Sequence, residues 1–205
     1  MRFKADYWRD RRAARGFGNT ILYRMCIKDA PAHVDREVVM SKCWLIGRSY
    51  SASPQRGSGT ARTGQSDFWK HLADSKEWRR LDRCLKRLNG RNRFSERYLP
   101  DILAVHAFLV RLVARQTALR NLGDRTARNH ISFASKYLHF HRPDHFPIFD
   151  SIAHRALCRR YPARRLSRGS DPFPTYGRFC RLMLLCIAEL DEEWTLRSVD
   201  TDLYY

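Results

Sequence analysis

The chain has 205 residues, with 39 lysines and arginines against 21 aspartates and glutamates, a formal net charge of +18. Hydrophobic residues make up 43% and aromatics 12%, which excludes a wholly disordered chain and allows a real core. Such a positive excess costs self-repulsion in a compact state, so a polyanionic partner is expected; no run of about 18 apolar residues exists to span a membrane.

The opening stretch, "MRFKADYWRDRRAARG", is basic and lacks the apolar centre of a signal peptide. Cys26, Cys43, Cys84, Cys158, Cys180 and Cys186 are scattered with no Cys-x-x-Cys, as expected of reduced, mostly buried thiols in a cytoplasmic protein. Residues 1–30 mix basic and aromatic side chains and predict a short helix. Residues 34–50 predict another, ending near "IGRSYS". The Ser, Gly and Thr of "SASPQRGSGTARTGQS" predict a loop over 51–66. Residues 1–66 are therefore read as a basic helical region with its loop, and 67–205 as a helical core. Ser66-Asp67 caps one helix running through "FWKHLADSKEWRRLDRCLKRL", and Asn89-Gly90 stops it.

"LPDILAVHAFLVRLVARQTAL" predicts a buried helix, broken at Gly123 in "NLGD". The next helix covers 125–141. Asp150 opens another, reaching about Tyr161, and residues 162–174 form a Pro/Arg/Ser/Gly loop. "YGRFCRLMLLCIAEL" is a last buried helix before the tail "DEEWTLRSVDTDLYY". Almost nothing alternates with period two, so the fold class is all-α.

The stretch "SFASKYLHFHRPDHFPIFDS", residues 132–151, raises the functional question. On a helix over 131–141, Ile131, Ala134 and Leu138 form one apolar stripe and Phe133, Tyr137 and Phe140 another. Ser132, Lys136 and His139 share a third face at i, i+4 and i+7. A helix apolar on two sides is buried, so its polar face must line a pocket or a wet interface. Two readings fit Lys136: a snorkelling lysine at the domain edge, or an amine in a partly dry pocket, able to act as a nucleophile. Pro143 ends the helix, and "FPIFD" runs extended because the residue before Pro147 is pushed out of the α region. Asp150 reads as an N-cap, and a capping aspartate is also a carboxylate held ionised and aimed by its helix.

Other candidates lie outside this stretch. "GRSYSASPQRG" carries Arg48, Ser49, Tyr50 and Arg56 and reads as a surface loop, or as a lid over a flipped base with Tyr50 stacking. From Ser151 to Ser170 there is no acidic residue, while Arg155, Arg159, Arg160, Arg164, Arg165 and Arg168 are present; this run is a solvated basic face or a contact to the DNA backbone. His139, His141 and His145 do not form a recognised ligand set, and no metal or other cofactor is expected.

The order of "NLGDRTA", an intervening helix, "FPIFD" and a new helix resembles the helix–hairpin–helix DNA glycosylases. "NLGDRTA" looks like their hairpin at Leu122, Gly123, Thr126 and Ala127, with Arg125 where many members place a lysine. "ISFASKYLHF" is similar to the catalytic-lysine helix of the archaeal 8-oxoguanine branch, and "FPIFD" to the segment ending in the catalytic aspartate. The resemblance implies a helix–hairpin–helix glycosylase fold for the all-α chain and base excision from double-stranded DNA. It implies Asp150 as catalytic carboxylate, with Lys136 as the candidate Schiff-base nucleophile. Ser132, His139, Arg48, Ser49, Tyr50 and Arg56 are then expected at the substrate. Gly123, Arg125, Thr126, Arg128, Arg155 and Arg159 are expected at the DNA backbone. A monomer without an obligate protein partner suffices. A non-catalytic DNA- or RNA-binding module on the same scaffold is the alternative.

Overall fold

A computed structural model describes residues 18–52, 54, 65–88, 94–115, 128–162, 171–189 and 196. All regular structure among the described residues is helical. Helix α1 covers residues 18–23 and continues as a π-helix, Arg24–Asp29, that buries Cys26. Helix α2, Arg36–Ser49, starts where the Asp35 carboxylate accepts from the Glu37 and Val38 amides, satisfying two orphan donors. Its buried stripe is Val39, Lys42, Cys43 and Ile46, at i, i+3, i+4 and i+7. The helix closes with Ala52 N–H on Gly47 O and Ser51 N–H on Arg48 O, and Ser51 takes φ 50°. This is the left-handed closure that glycine usually supplies, here accepted by a serine.

The single helix expected from 67 to 88 is two. Helix α3 is Gln65–Ala73 and helix α4 is Trp78–Arg87. At the break the Trp78 indole N–H donates to Leu72 O at 2.7 Å, a carbonyl that a continuous helix would use for its own ladder. Ser75 Oγ accepts from the Glu77 amide and helps restart the chain.

A 3₁₀ turn, Glu96–Tyr98, leads into helix α5, Leu99–Ala114, with Pro100 in its first turn. Helix α6 is Arg128–His141, α7 is Ser151–Arg160, and α8 is Pro174–Ala188. Helices α5 and α6 lie side by side at the centre. Helix α2 packs on α3 and on α6, α4 on α5, α7 on α8, and α1 on α6. One continuous core joins Leu22 and Ile46 to Phe133, Phe146 and Phe179. The far end of the helix expected over 99–119, the hairpin-like residues 121–127 and most of the loop 162–174 lie outside the described residues. No helix among the described residues is long and apolar enough to cross a membrane.

Gly177 on α8 has a specific packing reason. A Cβ there would lie 2.1 Å from the Asp171 carboxylate, which is pinned by two hydrogen bonds from Arg181 at 2.5 and 3.0 Å. Gly177→Ala gains about 1 kcal/mol of helix propensity. Displacing the half-sealed Asp171–Arg181 pair outweighs it, so urea unfolding is expected to show a net loss of about 1–3 kcal/mol.

Candidate functional site

Residues Phe146 to Phe149 are buried and outside any helix. Buried backbone of this kind requires partners for its polar groups. Side chains of α6 supply several of them. His139 Nδ1–H donates to Phe146 O at 2.8 Å. Lys136 Nζ donates to Phe149 O at 3.0 Å and to Ser132 Oγ at 2.6 Å. Ser132 Oγ donates to the same carbonyl at 3.3 Å. Ser135 Oγ accepts from the Phe149 amide at 2.9 Å. From α8, Tyr176 Oη donates to Pro147 O at 3.1 Å. Ser132, Lys136 and His139 thus act on one segment, as their shared helix face predicts.

That segment delivers Asp150. Its backbone is extended (φ −134°, ψ 144°), and Oδ1 accepts from the Ile152 amide at 2.6 Å and the Ala153 amide at 3.4 Å. Oδ2 accepts no hydrogen bond from a described residue, and the side chain is half-buried. Among the described residues no ion pair joins Asp150 to Lys136, so the two charges meet only through the Phe149 carbonyl.

The other expected residues take varied positions. Lys136 is 2% exposed, so its amine reaches solvent hardly at all. His139 is 1% exposed with both ring nitrogens engaged, Nε2 accepting from the Tyr23 hydroxyl at 2.5 Å. Arg48 and Ser49 are exposed at the end of α2, and Arg48 lies 5.8 Å from the Trp44 ring. Tyr50 packs on Phe140, and its hydroxyl donates to Asn19. Arg155 and Arg159 are exposed on α7. Arg56, Gly123, Arg125 and Thr126 lie outside the described residues, as does the side chain of Arg128, which opens α6.

A second buried polar cluster, not expected from sequence, sits at the other end of α6. Lys42 is 0% exposed and donates to Ala32 O and to His141 Nε2, each at 3.3 Å. His141 Nδ1–H donates to Tyr137 O at 2.8 Å, which fixes its tautomer and leaves Nε2 to accept. The His141 ring stacks between His33 and Tyr137 at 4.8 and 4.7 Å. His33 in turn stacks on Trp78, and donates to Asp82 from its ring at 2.5 Å and from its amide at 2.9 Å. Burial works against the Asp82 carboxylate, but these hydrogen bonds outweigh it and hold its pKa low. Burial lowers the pKa of Lys42, and of His33 and His141. Among the described residues no group of three or more His, Cys, Asp or Glu could hold a metal ion.

No family model, no curated protein and no solved structure matches this chain.

Replacing the Lys136 ammonium leaves Ser132 as the remaining donor to Phe149 O. Lys136→Met is expected to lower stability by about 1–3 kcal/mol in urea unfolding. The buried imidazoles predict the pH dependence. Burial pushes His106 down to about 3 and His130 down to about 4, and His33 and His141 move the same way. In the unfolded chain these groups titrate near their ordinary value of about 6.5, so below it the unfolded state binds more protons. Stability is full above pH 6.5 and falls as the pH drops toward 4. At pH 5 His106 and His130 each cost about 2 kcal/mol, and a thermal scan should show a Tm about 10 °C below that at pH 7.5.

Proposed function

We propose that this protein is a DNA glycosylase that acts on a nucleotide flipped from double-stranded DNA, with Asp150 as its catalytic carboxylate. The observation that carries this reading is the state of that carboxylate. One oxygen is held by two backbone amides at the α7 N-terminus, and the other accepts from no described residue. A carboxylate oriented in this way needs no reorganisation when positive charge develops nearby.

Cleaving the N-glycosidic bond sends the bonding pair to the departing base and leaves positive character on the sugar C1′. Asp150 would stabilise that charge and orient the water that adds to C1′, the water's proton passing to the carboxylate and then to solvent. The bonds of Lys136 to Ser132 and Phe149 favour a positioning role, in which the amine fixes the residue before Asp150. A Schiff-base step would require that amine to leave both partners. Hydrolysis without strand cleavage is therefore the preferred outcome. The +18 charge, the exposed Arg155 and Arg159 beyond Asp150, and the likeness of "FPIFD" to the glycosylase segment support a DNA substrate. The same charge also suits a binding module without catalysis, in which Asp150 would serve only as the cap of α7, as Asp35 caps α2.

The test is base release from duplexes that are undamaged or carry 8-oxoguanine, uracil or an alkylated base, together with phage DNA bearing modified cytosines. Strand breaks should appear on one of these substrates only after hot alkali. Asparagine caps helices as well as aspartate does, so Asp150→Asn should keep the fold and the DNA affinity. Excision should fall by at least about 10²-fold. Excision that survives this substitution, or salt-sensitive binding with no abasic site on any substrate, would overturn the assignment.

A further inference from the structure

The outer face of α4 carries a charge pattern that the Asp150 site does not use. Between residues 76 and 87, Lys76, Arg79, Arg80, Arg83, Lys86 and Arg87 are all exposed. The two acidic residues of the stretch do little to neutralise them. Asp82 is taken by His33 on the inner face, and Glu77 lies 3.7 Å from Arg80. The inner face is apolar: Trp78, Leu81 and Leu85 are buried. A rigid, buried underside thus fixes a solvent-facing row in which Arg79, Arg83 and Lys86 follow at i, i+4 and i+7.

We infer that this face of α4 is a second nucleic-acid surface, one that grips the phosphate backbone apart from the Asp150 site. Seven residues of helix rise about 10 Å, which spans on the order of three phosphates at about 3.4 Å per nucleotide. Arginine predominates, and its planar fork suits two phosphate oxygens at once, where lysine offers a point charge. The exposed face carries no tryptophan, phenylalanine or leucine to insert between lipids, which argues against an anionic membrane as the occupant. The surface is separate from Asp150 by construction. Through Trp78 and Asp82, α4 meets His33 and thereby the His141 end of α6. The Phe149 carbonyl before Asp150 is held from Lys136 and Ser132, five and nine residues from His141, or about 7 and 13 Å along the helix.

The experiment is a salt titration of binding by the full chain to an undamaged 20-base-pair duplex, read by fluorescence anisotropy. Undamaged DNA keeps the result independent of catalysis. The wild type should bind with a steep salt dependence. The triple variant Arg79→Gln, Arg83→Gln, Lys86→Gln should lose about 10-fold or more in affinity at 0.1 M salt. The slope of log K against log salt should flatten by roughly three, at about 0.9 per lost phosphate contact. A charge-keeping variant, Arg79→Lys with Arg83→Lys, separates charge from misfolding: its slope should stay near that of the wild type. Asp150→Asn should leave the slope unchanged. A triple variant with wild-type affinity and slope, or a wild-type chain that binds phosphatidylserine vesicles but no duplex, would overturn the inference. Failure of base release alone would leave these binding results standing, so the two readings fail separately.

Discussion

Irregular backbone can be buried only if its amides and carbonyls find partners, and the stretch from Phe146 to Phe149 meets that requirement largely through side chains, with the Phe146 amide on Arg142 O. The rest of the candidate site follows from this. The segment must be irregular because Pro147 keeps Phe146 out of the helical region and Asp150 must be extended to cap α7. It must be buried because Phe146, Ile148 and Phe149 enter the core. Polar side chains of α6 help reconcile the two demands. A lysine at position 136 suits the task because a long apolar stem crosses the core and a single head group serves two acceptors.

The second buried lysine solves a similar problem. Lys42 donates to Ala32 O, in the connector between α1 and α2, as Lys136 donates to Phe149 O between α6 and α7. In both places a buried cation satisfies a carbonyl just upstream of a helix that begins with a capping aspartate, Asp35 or Asp150. Burial of these amines here serves chain geometry, each donating to a backbone carbonyl and to a second side chain. The helix α6 connects the two arrangements, with Lys136 on one turn and Tyr137 and His141 reaching the other cluster.

Much of the fold was legible because local chemistry agreed with the final structure. Asp150 before an apolar periodic stretch marked α7, and "YGRFCRLMLLCIAEL" marked α8. The shared face of Ser132, Lys136 and His139 was readable from spacing. Its partner was not: that face meets backbone carbonyls, which no side-chain pattern announces. His139 is sealed by Tyr23, 116 residues away, and His33 meets Asp82 across 49 residues, separations that periodicity cannot bridge. Lys42 was readable in principle, since it falls on the stripe of Val39, Cys43 and Ile46. The break between α3 and α4 was hidden, since no periodicity announces that the Trp78 indole meets the Leu72 carbonyl there. The serine at the left-handed end of α2 was hidden because glycine usually marks that turn.

The bonding of Phe149 also bears on how the molecule opens. Its amide is tied to Ser135 and its carbonyl to Lys136, and both groups sit inside the aromatic core. A stretch without helix or strand is normally the first to fray and exchange its amide hydrogens. Here the amide can meet solvent only when α6 itself gives way. This irregular stretch therefore opens together with α6, and the carboxylate it carries inherits that slow clock.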